Sequence, residues 1–226
     1  MLQGASPRSP IMSWLPVAGD FRGDLRAALA QAKPTDALDG LASLAACRLG
    51  FLETVQLDRA LARLDLKEAP GFQPVRLAIL ASSTVDHLPP AIRVAGLRRR
   101  LLIEVHSGAY GQYRQDLLDA DSALHRFAPQ AALFSLPARE VMASISLAAT
   151  SAEVDDAIGR FIAELRSLWR KAREIGGAAV IQQTFIDVTE PLFGGYDRIV
   201  PGAPSAVVAR LNDRLTEAVE IGRAHV

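Results

Sequence analysis

The stretch VRLAILASSTVDHLPPAIRVAGLRRRLLIEV, residues 75–105, decides the fold of this chain. It opens with VRLAILA (75–81), a short apolar run that is typical of a strand buried on both faces of a parallel sheet. A helix is predicted from about Asp86 to Ala95, with Pro89 and Pro90 in its first turn, where proline is tolerated. LLIEV (101–105) then predicts a second strand. Strand, helix and strand in this order are the unit from which parallel sheets are built.

The same alternation continues towards the C-terminus. AALFSL (131–136) and AAVIQQTF (178–185) predict two more strands, and residues 152–174 predict a long amphipathic helix between them. A polar loop, a short helix around 123–126 and a last helix over 205–219 complete the pattern. We therefore expect a three-layer α/β/α domain around a mostly parallel sheet. Ligands bind such sheets at the carboxyl ends of the strands, here the loops 82–86, 106–121, 137–151 and 184–203.

The regions flanking this domain have a different character. Residues 1–20 contain three prolines and no periodicity, which indicates a disordered leader. Residues 21–70 predict a helical extension, with Gly50 between two helices and Thr54 as the cap of the second. The final segment IGRAHV (221–226) can be encoded by ATC GGA AGA GCA CAC GTC, the start of a common sequencing adapter. We interpret it as a non-native tail, and we expect the α/β domain at 75–220 to be incomplete.

Charge and composition exclude several classes of function. The 25 basic residues balance the 25 acidic ones, so no global field attracts nucleic acid or an anionic membrane. The single cysteine, Cys47, excludes a disulfide framework and a cysteine-based zinc site. No apolar run approaches the roughly 18 residues of a membrane helix, and the N-terminus lacks the apolar segment of a signal peptide. A cytoplasmic protein without a metal of its own in this chain is expected.

The turn Ser82-Ser83-Thr84 directly after the first strand is the first candidate site. Hydroxyls and backbone N–H groups at such a turn can bind an anion, and a serine there can act as a nucleophile if a base lies nearby. The alternative is that these residues only cap the following helix. Among the histidines, His106 at the end of the second strand and His125 on the short helix are interpreted as structural. His87 lies too close in sequence to Ser83 for a serine–base pair.

Two further segments place polar residues on the same edge of the sheet. Tyr110, Gly111 and Gln112 lie in the loop after the second strand, where Gly111 can offer an N–H to an oxyanion and the tyrosine can line a pocket. Gln182 and Gln183 end the fourth strand and need polar partners there. The sequence given contains no P-loop, no GxGxxG after the first strand and no Asp-x-Asp pair after a strand. The nucleotide-binding and phosphatase classes that need these motifs are therefore excluded for this chain.

The residues from VRLAILASSTVDHL to ALFSLPARE, with VIQQTFIDVTEPLFGGYDRIVPGAPSAVVARLNDRL, resemble the N-terminal domain of FkbH-like proteins. The resemblance covers about residues 13–219. It implies an SGNH (GDSL-type) hydrolase-like, flavodoxin-like domain, followed in the whole protein by a phosphatase domain of the haloacid dehalogenase type. It also implies that the whole protein takes a glyceryl unit from 1,3-bisphosphoglycerate, releases phosphate and loads the unit onto the phosphopantetheine thiol of an acyl carrier protein in polyketide biosynthesis. Magnesium belongs to the phosphatase-type domain, which this chain lacks.

The SGNH motifs carry over only in part. Ser83 occupies the nucleophile position, with Ser82 beside it, and Gly111 matches the glycine of the second block. Pro137-Ala138-Arg139 stands where an asparagine is expected, and the Asp-x-x-His block would lie beyond residue 220. The leading hypothesis is an accessory domain that positions a carrier protein or the catalytic domain without chemistry of its own. The alternatives are a serine esterase that uses Ser83 and a carrier-protein docking module at residues 21–66.

Overall fold

The computed structural model describes residues 14–66, 69–188 and 190–223, with the side chains of the last segment described up to Val219. Its helices are α1 (Phe21–Leu29), α2 (Pro34–Ala45), α3 (Phe51–Leu61), α4 (Leu88–Leu97), α5 (Tyr113–Leu118), α6 (Ala123–Phe127), α7 (Arg139–Met142), α8 (Ser151–Glu174) and α9 (Pro204–Arg223), with a 3₁₀ helix at Gly194–Arg198. The strands are β1 (Gln73–Ala81), β2 (Leu101–Ser107), β3 (Ala131–Ser135) and β4 (Ala179–Gln182).

The four strands form one sheet in the order β2-β1-β3-β4. β1 pairs with β3 in parallel, with Ile79 opposite Leu133, and β3 pairs with β4 in parallel, with Leu133 opposite Ile181. Because sequence neighbours in a parallel sheet need a crossover, helices separate the strands along the chain. The predicted three-layer α/β/α fold class is confirmed.

The chain divides into two compact units. Unit 1 contains Met1–Val75 and Val85–Val105, and unit 2 contains Arg76–Thr84 and His106–Val226. In unit 1, apolar side chains of α1, α2, α3 and α4 form a core, and the carboxylate of Asp58 in α3 binds Arg93 of α4 through two hydrogen bonds of 2.6 and 2.8 Å. The domain boundaries predicted from the sequence stay a prediction.

The core of unit 2 lies around the predicted amphipathic helix. The apolar face of α8 is buried as its spacing predicts, together with residues of β1, β3 and α9. Thr150 caps α8: its hydroxyl accepts a hydrogen bond from the N–H of Glu153, whose carboxylate accepts one from the N–H of Thr150 at 2.8 Å. The Glu153 carboxylate accepts from the N–H of Thr150 and, at 2.9 Å, from its hydroxyl, and these two hydrogen bonds lower the pKa of Glu153. This reciprocal pair fixes where the helix starts.

Several local predictions were wrong. Thr54 does not cap a helix, because α3 begins at Phe51 and the Thr54 hydroxyl donates to the carbonyl of Gly50. The loop predicted after β2 contains α5, and the loop predicted after β3 contains α7. β4 ends at Gln182, earlier than predicted. The leader predicted over residues 1–20 stays a prediction: its residues 1–13 lie outside the described residues, and of the rest Val17 pairs with Arg48.

The predicted non-native tail falls only partly on described residues. α9 continues to Arg223, whereas residues 224–226 lie outside the described part of the chain. Among the described residues, no helix combines the length and the apolar character that are needed to cross a membrane.

Candidate functional site

The turn after β1 presents two serines to two different pockets. Ser82 lines one pocket and Ser83 lines another, and both pockets belong to unit 2. Both serines lie in the bend directly after the last residue of β1, Ala81. Neither serine caps α4, whose N-cap is His87 and has no side-chain cap. The capping alternative for this turn was wrong.

Glu140, in the first turn of α7, is the centre of the hydrogen bonds at this turn. Its carboxylate accepts a hydrogen bond from the Ser82 hydroxyl, one of 2.9 Å from the Tyr113 hydroxyl and one of 3.0 Å from the Arg114 guanidinium. The Glu140 side chain is only 14% exposed. Three donors from two other segments therefore converge on one largely buried carboxylate, which ties the turn after β1 and α5 to α7.

Tyr113 and Arg114 come from α5, the short helix that sequence reasoning treated as a loop. Tyr113 is buried, and this burial together with the adjacent charge of Glu140 raises the pKa of its hydroxyl above the ordinary value. The hydroxyl therefore remains a hydrogen-bond donor at neutral pH. Arg114 also binds Glu164 of α8 at 2.6 Å, and its guanidinium lies 4.7 Å from the centre of the Tyr113 ring.

The first pocket, called here the polar pocket, has a volume of about 380 Å³. It is lined by Ser82, Tyr110, Gly111, Arg114, Arg139 and Glu140. Arg139 donates through one nitrogen, Nη2, to the carbonyl of Ser82 and to the hydroxyl of Tyr110, both at 2.9 Å. Gly111 has a φ of +70°, a backbone conformation that favours glycine. Three residues of the loop predicted after β2, namely Tyr110, Gly111 and Arg114, therefore line the same pocket as Ser82.

The second pocket, called here the apolar pocket, has a volume of about 360 Å³. Most of its wall is aliphatic and comes from β3, the start of α7, the segment after β4 and α9. The lining residues are Ser83, Ser135, Leu136, Pro137, Ala138, Arg139, Met142, Gln183, Thr184, Ile186, Asp187, Val188 and Val208. An aliphatic wall with a few polar groups is the usual composition of a pocket for a small organic ligand.

The other predicted site residues are only partly brought together. Gln183 lines the apolar pocket, where its side chain accepts a hydrogen bond of 2.9 Å from Ser135. Gln182 instead accepts a hydrogen bond of 3.1 Å from the indole of Trp169. Thr84 is exposed, and Gln112 is the exposed N-cap residue of α5. Gln182, Thr84 and Gln112 line neither pocket.

The histidines have other partners. His106 stacks on Phe127 with ring centres 5.3 Å apart, and the Nε2 atom of His125 lies 3.2 Å from the carbonyl of Leu117. In the part of the chain that the structure describes, no histidine hydrogen-bonds to Ser82 or Ser83. No group of three His, Cys, Asp or Glu side chains suited to a metal occurs among the described residues either.

Sequence reasoning missed Glu140, Arg139, Tyr113 and Arg114 as members of one site. Tyr113 and Arg114 lie in the segment predicted as a polar loop, and Arg139 was considered only as one of the residues that replace an expected asparagine. One signal was available: Tyr113 and Leu117 are apolar residues at helical spacing inside the supposed polar loop, and both are buried in α5.

Comparison with known proteins gives a family and a fold. The profile of the family described as "FkbH, N-terminal domain" matches residues 76–222. Among solved structures, the chain is similar to the N-terminal part of a Bacteroides fragilis protein containing a phosphatase domain, complexed with Mg, with a TM-score of 0.60 and 18% identity. The match covers 77% of this chain and 43% of that chain, so this chain spans less than half of the solved neighbour. No curated protein gives a significant match.

Proposed function

Since this chain belongs to the family of FkbH N-terminal domains, we propose that it is the non-catalytic accessory domain of an FkbH-like protein. In this proposal the domain positions an acyl carrier protein, with its phosphopantetheine arm, or the downstream phosphatase-type domain. The chemistry itself, transfer of a glyceryl unit from 1,3-bisphosphoglycerate to the carrier thiol with release of phosphate, takes place on the phosphatase-type domain. The proposal rests on the membership of the chain in this family and on the hydrogen bonds of the turn at Ser82 and Ser83.

The single observation that carries the proposal is the hydrogen bonding of Glu140. A serine acts as a nucleophile when a nearby base accepts its proton. The group that accepts from Ser82 is a carboxylate whose oxygens also bind Tyr113 and Arg114, and such a network holds side chains in place. Ser83, at the nucleophile position of the SGNH motif, lies in the other pocket. This arrangement favours a structural turn over an esterase site.

The described side chains around the serine turn do not fit a magnesium ion. The described residues provide no group of three metal-ligating carboxylates or imidazoles. Three donors already surround the Glu140 carboxylate. We therefore propose that magnesium binds in the phosphatase-type domain.

The absence of esterase activity is the first test of this proposal. The chain and its Ser82→Ala and Ser83→Ala variants are expected to hydrolyse p-nitrophenyl acetate at the same rate, equal to that of a non-enzymatic control protein, because no histidine among the described residues hydrogen-bonds to either hydroxyl. Absorbance of p-nitrophenolate measures the rate. Turnover by the unmodified chain that is lost in Ser83→Ala would overturn the proposal in favour of the SGNH-type esterase.

A second test measures carrier-protein binding and separates two surfaces. Phe51 and Leu52 at the start of α3 are 67% and 72% exposed, which favours the alternative of a docking surface on the helical segment 21–66. We expect the chain to bind a holo acyl carrier protein in surface plasmon resonance and the double variant Phe51→Ser/Leu52→Ser to bind it about tenfold more weakly, as loss of two apolar contacts implies. A Leu118→Ser variant, which removes an apolar side chain 67% exposed on α5, is the matched control. Failure of the unmodified chain to bind would count against the carrier-protein role.

A further inference from the structure

Arg139 lies at the boundary between the two pockets and lines both of them. It is the first residue of α7, so the end of β3 and the short loop after it fix its position at the edge of the sheet. Its Nη2 atom donates to the carbonyl of Ser82 and the hydroxyl of Tyr110. Both acceptors are neutral, and both contacts use the same nitrogen of the guanidinium.

The charge of Arg139 is not balanced by a carboxylate. Among the residues that the structure describes, Arg139 forms no ion pair, whereas the neighbouring Arg114 binds Glu140 at 3.0 Å and Glu164 at 2.6 Å. Glu140 lines the polar pocket as well, but its charge faces Arg114. A guanidinium has five N–H donors in a planar fork that fits carboxylates and phosphates. Arg139 is exposed and lines both pockets, so its positive charge is available to a ligand in either of them.

The apolar pocket indicates how a ligand bound at Arg139 is oriented. Arg139 lines this pocket together with the aliphatic side chains of Leu136, Met142 and Ile186, none of which lines the polar pocket. Asp187 also lines the apolar pocket, and its negative charge disfavours a second anion there. A ligand that fits both pockets has its anionic group at Arg139 and an uncharged chain along the aliphatic wall.

We propose that Arg139 binds the anionic group of an amphipathic organic anion, a phosphate or carboxylate whose short apolar chain lies in the apolar pocket. Neither the family nor the proposed accessory role assigns this site. The proposed anion site goes beyond the proposed function because it requires no carrier protein. All of its residues belong to unit 2.

Isothermal titration calorimetry on the full chain tests the site with four probes: hexyl phosphate, hexanoate, hexanol and inorganic phosphate. The expected result is that at least one of the two hexyl anions binds more tightly than both hexanol and inorganic phosphate, and the tighter hexyl anion identifies the head group. Arg139→Ala and Arg139→Gln are each expected to weaken that binding by about tenfold to a hundredfold, as loss of a charge-assisted hydrogen bond implies. Arg166→Ala, which removes the same charge from the exposed side of α8, is expected to leave it unchanged.

A second variant tests the chain-binding half of the site. Ile186→Ser is expected to reduce the advantage of the tighter hexyl anion over its two-carbon analogue, ethyl phosphate or acetate, while leaving the affinity for that analogue unchanged, because Ile186 lines the apolar pocket and not the polar pocket. Equal affinities of hexanol and the hexyl anions, or unchanged binding in thermally stable Arg139→Gln, would overturn the proposal. Because no probe contains a carrier protein, a failure here is distinct from a failure of the proposed accessory role.

Discussion

Glu140→Ala is expected to lower the free energy of unfolding by about 2–3 kcal/mol, less than the roughly 3–5 kcal/mol of a fully buried pair because Arg114 is partly exposed. The substitution leaves the Tyr113 hydroxyl buried without its acceptor and removes the partner of both Ser82 and Arg114. An unsatisfied buried donor accounts for a large part of that loss. Urea denaturation followed by circular dichroism measures it.

Two variants separate the carboxylate from the rest of the network. Glu164→Ala removes the other carboxylate bound to Arg114, but that side chain is 45% exposed, so we expect a loss within about 1 kcal/mol. Tyr113→Phe removes one hydrogen bond and keeps the packed ring, which predicts a loss of about 1 kcal/mol. If Glu140→Ala costs no more than Glu164→Ala, the convergence on Glu140 does not stabilise this edge of the sheet.

The alternation of apolar runs and amphipathic helices was sufficient to predict the fold class. β1 and β3 are continuous apolar runs because parallel strands are covered on both faces, and this pattern is visible without any alignment. The predicted β4 extended to Phe185, which is apolar and buried, whereas the strand ends at Gln182. There the Gln182 side chain donates to the carbonyl of Gln183 and accepts from Trp169, polar contacts that periodicity does not encode.

The candidate site was predicted only in outline, for a related reason. The turn at Ser82 and Ser83 follows a strong strand signal, so its place at the sheet edge was predictable. Glu140 and Arg139 belong to α7, and Tyr113 to α5, which are helices of four and six residues without a side-chain cap. Such helices are shorter than the window over which periodicity is read and lack a start signal. Their residues meet Ser82 only through the tertiary fold.

Gly202→Ala is the second substitution for which we expect a large loss, about 3 kcal/mol, the upper end of the usual range for overpacking. Gly202 is buried just before α9, and a β-carbon on it would collide with the carbonyl oxygen of Ser146 and lie 2.9 Å from that of Leu147. Backbone atoms cannot move aside as the end of a flexible side chain can, so the segment after α7 or the start of α9 has to shift.

Gly159→Ala is the matched control, and its expected effect has the opposite sign. Gly159 lies inside α8, where a β-carbon would meet nothing within 4 Å, so alanine is expected to stabilise the chain by about 1 kcal/mol through its higher helix propensity. Urea midpoints of the two variants therefore move in opposite directions from that of the unmodified chain. If α9 moves to relieve the collision at Gly202, Val208 of α9 moves with it, and Val208 lines the apolar pocket. A Gly202→Ala midpoint equal to that of the unmodified chain would show that the segment 143–150 is not held against Gly202 in solution.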